Sequence, residues 1–192
     1  MNLKSVISNL IFKFKLSKAN PLQRAELLRD KFYFLGKNVR LYTTKIGTEP
    51  YLISIHDNVT CASNVVFINH DVSCFNMARF LGIKEDEVDK VGPIILHENS
   101  FIGAETMIMP NCSVGKNSVV AARSLVSKNI PDNEVWGGVP AKFIMTTEEY
   151  ANKVLANSKK YPWKYDSEGN FLSIPESEKV LLRQKYFFKD HK

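Results

Sequence analysis

His70 offers the most usable chemistry in this chain of 192 residues. It lies in the segment FINHDV, residues 67–72, and is followed by residues 73–92, which have no regular spacing. Imidazole titrates near neutral pH, so His70 could take a proton from a hydroxyl group as a general base. A single histidine is as often structural, and the residues alone leave both roles open.

Asp71 follows His70 directly. Its carboxylate could hold the imidazole in one orientation, or it could accept hydrogen bonds from backbone amides where the chain leaves its regular pattern. The sequence favours neither role over the other.

A six-residue repeat must position these side chains. From Leu96 to Pro131 the chain reads LHENSF, IGAETM, IMPNCS, VGKNSV, VAARSL and VSKNIP. Each hexad begins with an aliphatic residue and has a small or β-branched residue at its fifth position. The fourth position is often asparagine, which enters the left-handed region readily at a tight corner. We therefore predict short strands joined by turns, with first and fifth side chains inward, stacked into a solenoid.

The repeat is interrupted twice. It begins at Leu35, breaks near residues 47–50, resumes at Ile55 and stops after FINHDV. Residues 73–92 are therefore predicted to leave the solenoid. A long excursion of this kind is usually functional, and a simple subunit contact is the alternative.

Helices are predicted on both sides of the repeat. The first is a basic amphipathic helix with an apolar stripe, which indicates either attachment to an anionic membrane surface or packing on its own or a neighbouring subunit. Its stripe consists of Leu3, Val6, Ile7, Leu10, Ile11 and Phe14. Further helices are predicted over about residues 21–33, 146–159 and 173–188, and the last two would cover the open end of the solenoid.

Composition bounds the class of protein. The length predicts one domain of ordinary size, and the absence of a long apolar run or signal pattern predicts a cytoplasmic protein. The formal charge of +6 is concentrated in residues 1–40, which carry +7, and no nucleic-acid motif accompanies it, so no nucleic acid is expected as a partner. Cys61, Cys74 and Cys112 form no CxxC pair and are predicted to be small core residues.

The hexads from IGAETM to VSKNIP, with GGVPAK after them, resemble the hexapeptide-repeat acyltransferase family. The likeness is to its sugar O-acetyltransferase branch, which includes maltose, galactoside and capsule acetyltransferases. The block IGTEPYLISIHDNVTCASNVVFINHD resembles the same branch, and the match covers about residues 35–145. The resemblance implies an all-β solenoid core, a left-handed parallel β-helix with N-terminal and C-terminal α-helices. Handedness comes from the resemblance alone, since general topology rules favour right-handed crossovers.

The resemblance also implies a division of the chain and an assembly. Residues 1–34 would be an N-terminal helical segment, residues 35–145 the acyltransferase domain with its excursion at about 73–92, and residues 146–192 a C-terminal helical extension. The family implies a homotrimer with active sites between subunits. The protein would work in the cytoplasm, and contact with the inner face of the membrane through residues 1–18 is an open alternative.

The implied reaction is acetyl transfer from acetyl-CoA to a sugar hydroxyl, in capsule, O-antigen or other surface-glycan biosynthesis. His70 matches the family's catalytic histidine and would be the general base, with Asp71 beside it in the catalytic site. We expect four residues to contact the substrate at the excursion: Asn69, Phe75, Asn76 and Arg79.

Coenzyme A is expected along an outer face between two subunits. Lys142 matches the family's basic residue after the GVPA turn and would meet a phosphate. Phe101 stands where many relatives carry tryptophan, and whether Arg123 narrows or anchors the channel is open. The full predicted set is Phe101, Ala121, Ala122, Arg123, Ser124, Lys128, Val139, Pro140, Ala141 and Lys142.

Other functions remain as alternatives. The same fold carries amino-sugar N-acetyltransferases and antibiotic acetyltransferases, and a non-catalytic scaffold or regulatory subunit is an alternative of another class. The related γ-class carbonic anhydrases bind zinc through three histidines, but His56, His70 and His97 include no close pair. No metal is therefore expected.

Overall fold

The computed structural model describes residues 3–163 and 175–188. The chain divides into two compact units, Met1–Tyr150 and Ala151–Lys192. The helices are α1 (Leu3–Lys18), α2 (Pro21–Leu28), α3 (Ser73–Leu81), α4 (Thr147–Ser158) and α5 (Glu176–Phe187). Among the described residues, none of these helices combines the length and the apolar content that a bilayer crossing requires.

Within residues 3–150, thirteen short strands form the body of the first unit. They are β1 (Phe34–Leu35), β2 (Arg40–Leu41), β3 (Ile53–Ile55), β4 (Thr60–Cys61), β5 (Val66–Phe67), β6 (Ile94–Leu96), β7 (Phe101–Ile102), β8 (Met107–Ile108), β9 (Cys112–Val114), β10 (Val119–Val120), β11 (Leu125–Val126), β12 (Glu134–Gly137) and β13 (Lys142–Thr146).

The strands belong to three sheets that the chain visits in turn. One sheet has the order β1-β3-β6-β9, the second β13-β12-β10-β7-β4-β2, and the third β11-β8-β5. All pairs are parallel except β12 with β13, which form a hairpin. In the regular repeat, residues paired on neighbouring strands are 18 positions apart in the sequence, as in Phe101 with Val119 and Met107 with Leu125. Three hexads therefore make one coil.

The core consists of the residues that the period of six places inward. The first-position side chains from Leu96 to Val126 are at most 1% exposed. The fifth-position side chains are also buried, including three whose hydroxyl groups bond to backbone carbonyls. These are Thr106 to Ala121, Ser118 to Pro131 and Ser124 to Ala121. The predicted inward pattern is confirmed.

The corners use the left-handed conformation at the predicted fourth position. Asn99, Asn111 and Asn117 have φ near +60°. Glu105 and Arg123 occupy the same position with φ of 60° and 58°, so the turn imposes this conformation on residues that rarely adopt it. Successive corners are linked through side-chain amides, because Asn99 donates to Asn117, and Asn117 to Asn133, each at 2.9 Å.

Helix α1 has two apolar faces. Phe12 and Leu16 pack against the core. The opposite stripe stays exposed, with Ile7, Leu10, Ile11 and Phe14 each about half to two-thirds accessible. Helix α2 begins with Pro21 after an Asn20 capping box, and the predicted helix over 21–33 is shorter, because a 3-10 turn, Arg29–Lys31, follows Leu28.

The excursion contains helix α3. The sequence did not predict this helix, because residues 73–92 have no hexad pattern. Cys74 and Ala78 are its buried residues, and Gly82 ends it in the left-handed conformation. A 3-10 turn, Glu85–Glu87, follows before the chain returns to β6.

The capping box predicted for α4 is present, with Thr146 N and Glu149 Oε2 2.8 Å apart and Glu149 N and Thr146 Oγ1 3.2 Å apart. In the second unit, Tyr161 stacks on Trp163 with ring centroids 4.7 Å apart, and Tyr186 packs on both. The predicted start of the last helix at Ser173 lies outside the described residues, and α5 is described from Glu176.

Candidate active site

His70 lies where β5 ends and the excursion begins. It shares the fourth hexad position with the asparagine corners but is not among the residues with positive φ. Its backbone instead forms an antiparallel bridge with Val91, and Asp71 N donates to Lys90 O at 2.8 Å. The two ends of the excursion are thereby joined at His70, which fixes the backbone of this residue.

Glu49, from the break one coil earlier in the chain, holds the imidazole ring of His70. Its Oε1 lies 2.9 Å from His70 Nδ1, and both side chains are about four-fifths buried. The carboxylate therefore fixes the tautomer with hydrogen on Nδ1 and a lone pair on Nε2. The hydrogen bond with Glu49, with added attraction from Asp89 and Asp71, raises the pKa of His70. Hydrogen bonds from Thr48 and then His70 lower the pKa of Glu49.

Asn69 holds Glu49 in place. Its side chain is fully buried, its Nδ2 donates to the Glu49 carbonyl, and its Oδ1 accepts from Glu49 N at 3.4 Å. Gly47 has φ of +76°, and a Cβ there would lie 2.6 Å from Asn69 Oδ1. The amide of Asn69 is thus bonded to the backbone of Glu49, and its predicted contact with a substrate stays a prediction.

His70 Nε2 faces the excursion. It lies 3.3 Å from Asp89 Oδ1, but the two groups are not aligned for a hydrogen bond. The nitrogen is therefore without a hydrogen-bond partner among the described residues, although it is screened from solvent. The Phe75 ring stands edge-on to the imidazole, with centroids 6.4 Å apart. Phe75 is thus one predicted substrate residue that the structure brings to His70.

Asp71 bonds away from the imidazole. Its Oδ2 lies 2.6 Å from Lys90 Nζ, and its Oδ1 accepts from Ser73 N at 3.0 Å. The Lys90 bond is the main cause that lowers the pKa of Asp71 to about 2. Of the two roles left open by the sequence, the structure thus shows the backbone contact, made where the excursion closes.

The other two predicted substrate residues lie on α3. Arg79 forms an ion pair with Glu85 within the excursion and is two-thirds exposed. Asn76 is exposed on the same helix. Among the described residues, neither forms a hydrogen bond or an ion pair with His70.

The predicted coenzyme residues form a second cluster around the turn between β12 and β13. Gly138 N donates to Ser124 Oγ at 3.1 Å, and Ala141 N donates to Leu125 O at 2.8 Å. These bonds join residues 121–125 to residues 137–142. Ser124 and Ala141 are buried, so the expectation that their side chains line an outer face is wrong, since the hexad rule itself turns position five inward.

The remaining members of this set lie on the surface. Phe101 and Val139 are exposed, and Ala122 and Lys142 are also accessible. Pro140 is exposed and Ala121 is partly buried. Arg123 pairs with Glu105 of the preceding coil at 2.6 Å. Lys128 Nζ lies 4.9 Å from the centre of the Trp136 ring.

His56 and His97, the other two histidines considered as zinc ligands, lie together in the regular coils. His56 stacks on His97 with centroids 5.3 Å apart, and His56 Nδ1 is 3.7 Å from Glu98 Oε1. His70 is grouped instead with Cys74 and Asp89. A groove of about 740 Å³ lies elsewhere, between α1 and α2, lined in part by Phe14, Leu22 and Leu27.

Sequence reasoning missed Glu49 and Asp89. The available signal for Glu49 was the break in the repeat at residues 47–50, which lies one coil before His70. The available signal for Asp89 was its position near the end of the excursion. The end of the excursion must rejoin the solenoid close to His70, where the excursion begins.

Comparison with known proteins identifies relatives of the chain. The family model for the bacterial transferase hexapeptide (six repeats) matches residues 93–128. Protein CapG of Staphylococcus aureus is 37% identical over 144 residues, which cover 71% of this chain and 81% of that protein. Galactoside O-acetyltransferase of Escherichia coli (strain K12) is 31% identical over 162 residues, which cover 70% and 74% of the two chains.

A solved structure agrees with the fold. A maltose O-acetyltransferase from Clostridium difficile 630 matches with a TM-score of 0.52 and 21% identity, covering 76% of this chain and 89% of that chain. The similarity to CapG and to the galactoside enzyme covers most of each relative. The chain therefore belongs to the hexapeptide-repeat acetyltransferase family and is an acetyltransferase similar to the sugar O-acetyltransferase branch.

Proposed function

We propose that this protein transfers an acetyl group from acetyl-CoA to a sugar hydroxyl, with His70 as the general base. The observation that carries the proposal is the Glu49–His70 pair, 2.9 Å apart, which leaves the Nε2 lone pair without a hydrogen-bond partner among the described residues. A base needs this arrangement, because Nε2 must accept the proton of the attacking hydroxyl. Similarity to a galactoside O-acetyltransferase supports a sugar acceptor.

The reaction proceeds in one acetyl transfer. His70 Nε2 takes the hydroxyl proton as the sugar oxygen attacks the thioester carbonyl carbon. The C–S bond then breaks, and the imidazolium returns the proton to the departing thiolate. Glu49 stabilises the transient imidazolium by its charge, while backbone amides hold the oxyanion.

The coenzyme would lie against the second cluster. Ala122 and Val139 give a surface without long side chains, and Lys142 is exposed where it can meet a phosphate. In this proposal the coils form a left-handed parallel β-helix, and three copies form a homotrimer. The site is completed between subunits, so that the cluster of one subunit faces His70 of another.

A mass-shift assay tests the proposal. The full chain and acetyl-CoA are incubated with galactosides, other sugars and matched amino sugars. A gain of one acetyl group on a sugar without an amine is expected. Acetylation of amino sugars alone would contradict the O-transfer and favour the N-acetyltransferase alternative. Failure to bind coenzyme A in calorimetry would favour a non-catalytic scaffold.

The biological setting follows from the acceptor class. We place the enzyme in the cytoplasm, in capsule, O-antigen or other surface-glycan biosynthesis, where acetyl-CoA and activated sugar precursors are both present.

The exposed face of α1 supports a contact with the inner face of the membrane. Ile7, Leu10, Ile11 and Phe14 form one apolar stripe, while Phe12 and Leu16 on the opposite side hold the helix to the core. The helix contains lysines and no acidic residue. This charge suits anionic lipid headgroups better than it suits a basic protein surface.

The double variant Leu10→Glu/Ile11→Glu tests this contact without removing the residues that pack on the core. Binding to vesicles with phosphatidylglycerol should fall at least tenfold relative to the wild type. The control Tyr33→Glu changes an exposed aromatic side chain outside the stripe and should bind as the wild type does. Equal binding of the double variant would exclude this surface.

A further inference from the structure

Three different kinds of donor atom converge at His70, the proposed base. A ring nitrogen of His70, Cys74 Sγ and an oxygen of Asp89 all lie within 4.8 Å of one another. The ring nitrogen that faces Asp89 is Nε2, 3.3 Å from Oδ1, because Nδ1 is bonded to Glu49. They come from the end of β5, the first turn of α3 and the segment that returns to β6. We propose that these three residues form a binding site for a zinc ion, and that zinc at this site inhibits the enzyme.

The neutral form of His70 presents the nitrogen that would bind a metal. Glu49 accepts the Nδ1 hydrogen, so the lone pair is on Nε2, which is screened from solvent and has no hydrogen-bond partner among the described residues. A carboxylate bonded to the far nitrogen of a metal-binding histidine is the usual outer support of zinc sites. Glu49 supplies this support while remaining outside the cluster.

The donor set selects zinc over magnesium or calcium. A thiolate, an imidazole and a carboxylate suit Zn²⁺, whereas Mg²⁺ and Ca²⁺ prefer oxygen ligands. Tetrahedral zinc needs its donors about 3.5 Å apart. His70 Nε2 and Asp89 Oδ1 are already 3.3 Å apart, so the contraction of about 1 Å is between Cys74 Sγ and these two atoms.

Solvent can reach the cluster from the side of Asp89, whose side chain is 61% exposed. Cys74 is 7% exposed and Asp89 forms the accessible side, so a water molecule could complete four-coordination. Binding converts the Cys74 thiol to a thiolate and releases its proton to solvent. The two anionic ligands then balance the charge of Zn²⁺.

Inhibition follows because zinc and the acceptor hydroxyl need the same lone pair. A coordinated Nε2 cannot take a proton, so zinc would compete with catalysis. This consequence rests on the proposed role of His70 as the base, whereas metal binding itself does not.

Cobalt spectroscopy and zinc calorimetry on the untagged full chain, without acyl donor, test the site. One Co²⁺ per chain with a thiolate charge-transfer band in the near ultraviolet is expected, and Zn²⁺ should displace it. Cys74→Ser should abolish the band and weaken zinc binding at least tenfold. Asp89→Asn, at an exposed position that carries little folding risk, should weaken it about tenfold.

Two controls separate this site from adventitious binding. Cys112→Ser alters another buried cysteine, and Asp86→Asn alters an exposed acid of the same excursion. Both should bind as the wild type does. A missing thiolate band, or equal zinc affinity in Cys74→Ser and wild type, would overturn the site.

Turnover with and without Zn²⁺ is then compared within each variant. The wild type should lose at least 90% of its turnover at saturating zinc and recover it with a chelator, while Cys74→Ser should lose much less at that concentration. Retained turnover in zinc-loaded wild type would overturn the inhibition and the base role together, and it would leave the measured binding site intact.

Discussion

At the residue scale, the proposed chemistry depends on the pair of His70 and Glu49. A lone imidazole can rotate and can carry its proton on either nitrogen. The carboxylate of Glu49 removes both freedoms, and Asn69 fixes Glu49 in turn through its backbone. Asp71, the acidic neighbour in sequence, instead closes the excursion through Lys90.

The pH profile of Glu49→Gln tests this pair. In the proposed mechanism His70 must be deprotonated to act as the base, so activity should rise with pH through the raised pKa of His70. Glutamine removes the negative charge that causes the shift. The rising limb should therefore move to lower pH, and the plateau of kcat should fall about tenfold or more because the imidazolium loses its stabilising charge.

Glu98→Gln is the matched control, because Glu98 lies near His56 at 3.7 Å in the regular coils. Its pH profile should follow that of the wild type. If Glu49→Gln leaves both the pH of the rising limb and the plateau of kcat unchanged, Glu49 does not influence His70.

At the element scale, the hexad separates a buried residue from a more accessible one in each two-residue strand. In β8, Ile108 is fully buried and Met107 is 39% exposed. The coil therefore depends on first-position side chains for stability, while outward side chains are available for contacts. The two interruptions of the repeat place Glu49 and Asp89 beside His70, so the proposed site depends on them.

Alanine substitution in β8 measures this division. Ile108→Ala should lower the free energy of unfolding by roughly 2–5 kcal/mol, since it leaves a cavity between stacked coils. Met107→Ala, one residue earlier, should cost clearly less. Chemical denaturation gives both values, and equal losses at the two positions would contradict the inward assignment.

At the scale of the whole molecule, the sequence predicted the features that depend on local spacing. The inward faces and most corners follow from the period of six, because each residue's direction is set within its own hexad. Even Arg123, which is unusual at a corner, adopts the predicted conformation. Ser124 was misassigned to an outer face although the same rule places it inside.

The contacts of His70 could not be predicted in this way. Glu49 reaches it across a break whose length is not a multiple of six, so the register between the two coils is not encoded in the repeat. Asp89 and Cys74 depend on how residues 73–92 fold, and α3 has no hexad pattern to indicate it. The contacts of the proposed site therefore lie outside the regular repeat.

The central claim is that His70 is the base of acetyl transfer, and turnover of His70→Ala tests it most directly. With acetyl-CoA and the best acceptor from the mass-shift assay, kcat should fall about 10²–10⁴-fold. The assembly size should match that of the wild type, and His97→Ala, a change in the regular coils, should remain within about twofold. A His70→Ala enzyme that keeps wild-type turnover would contradict the account.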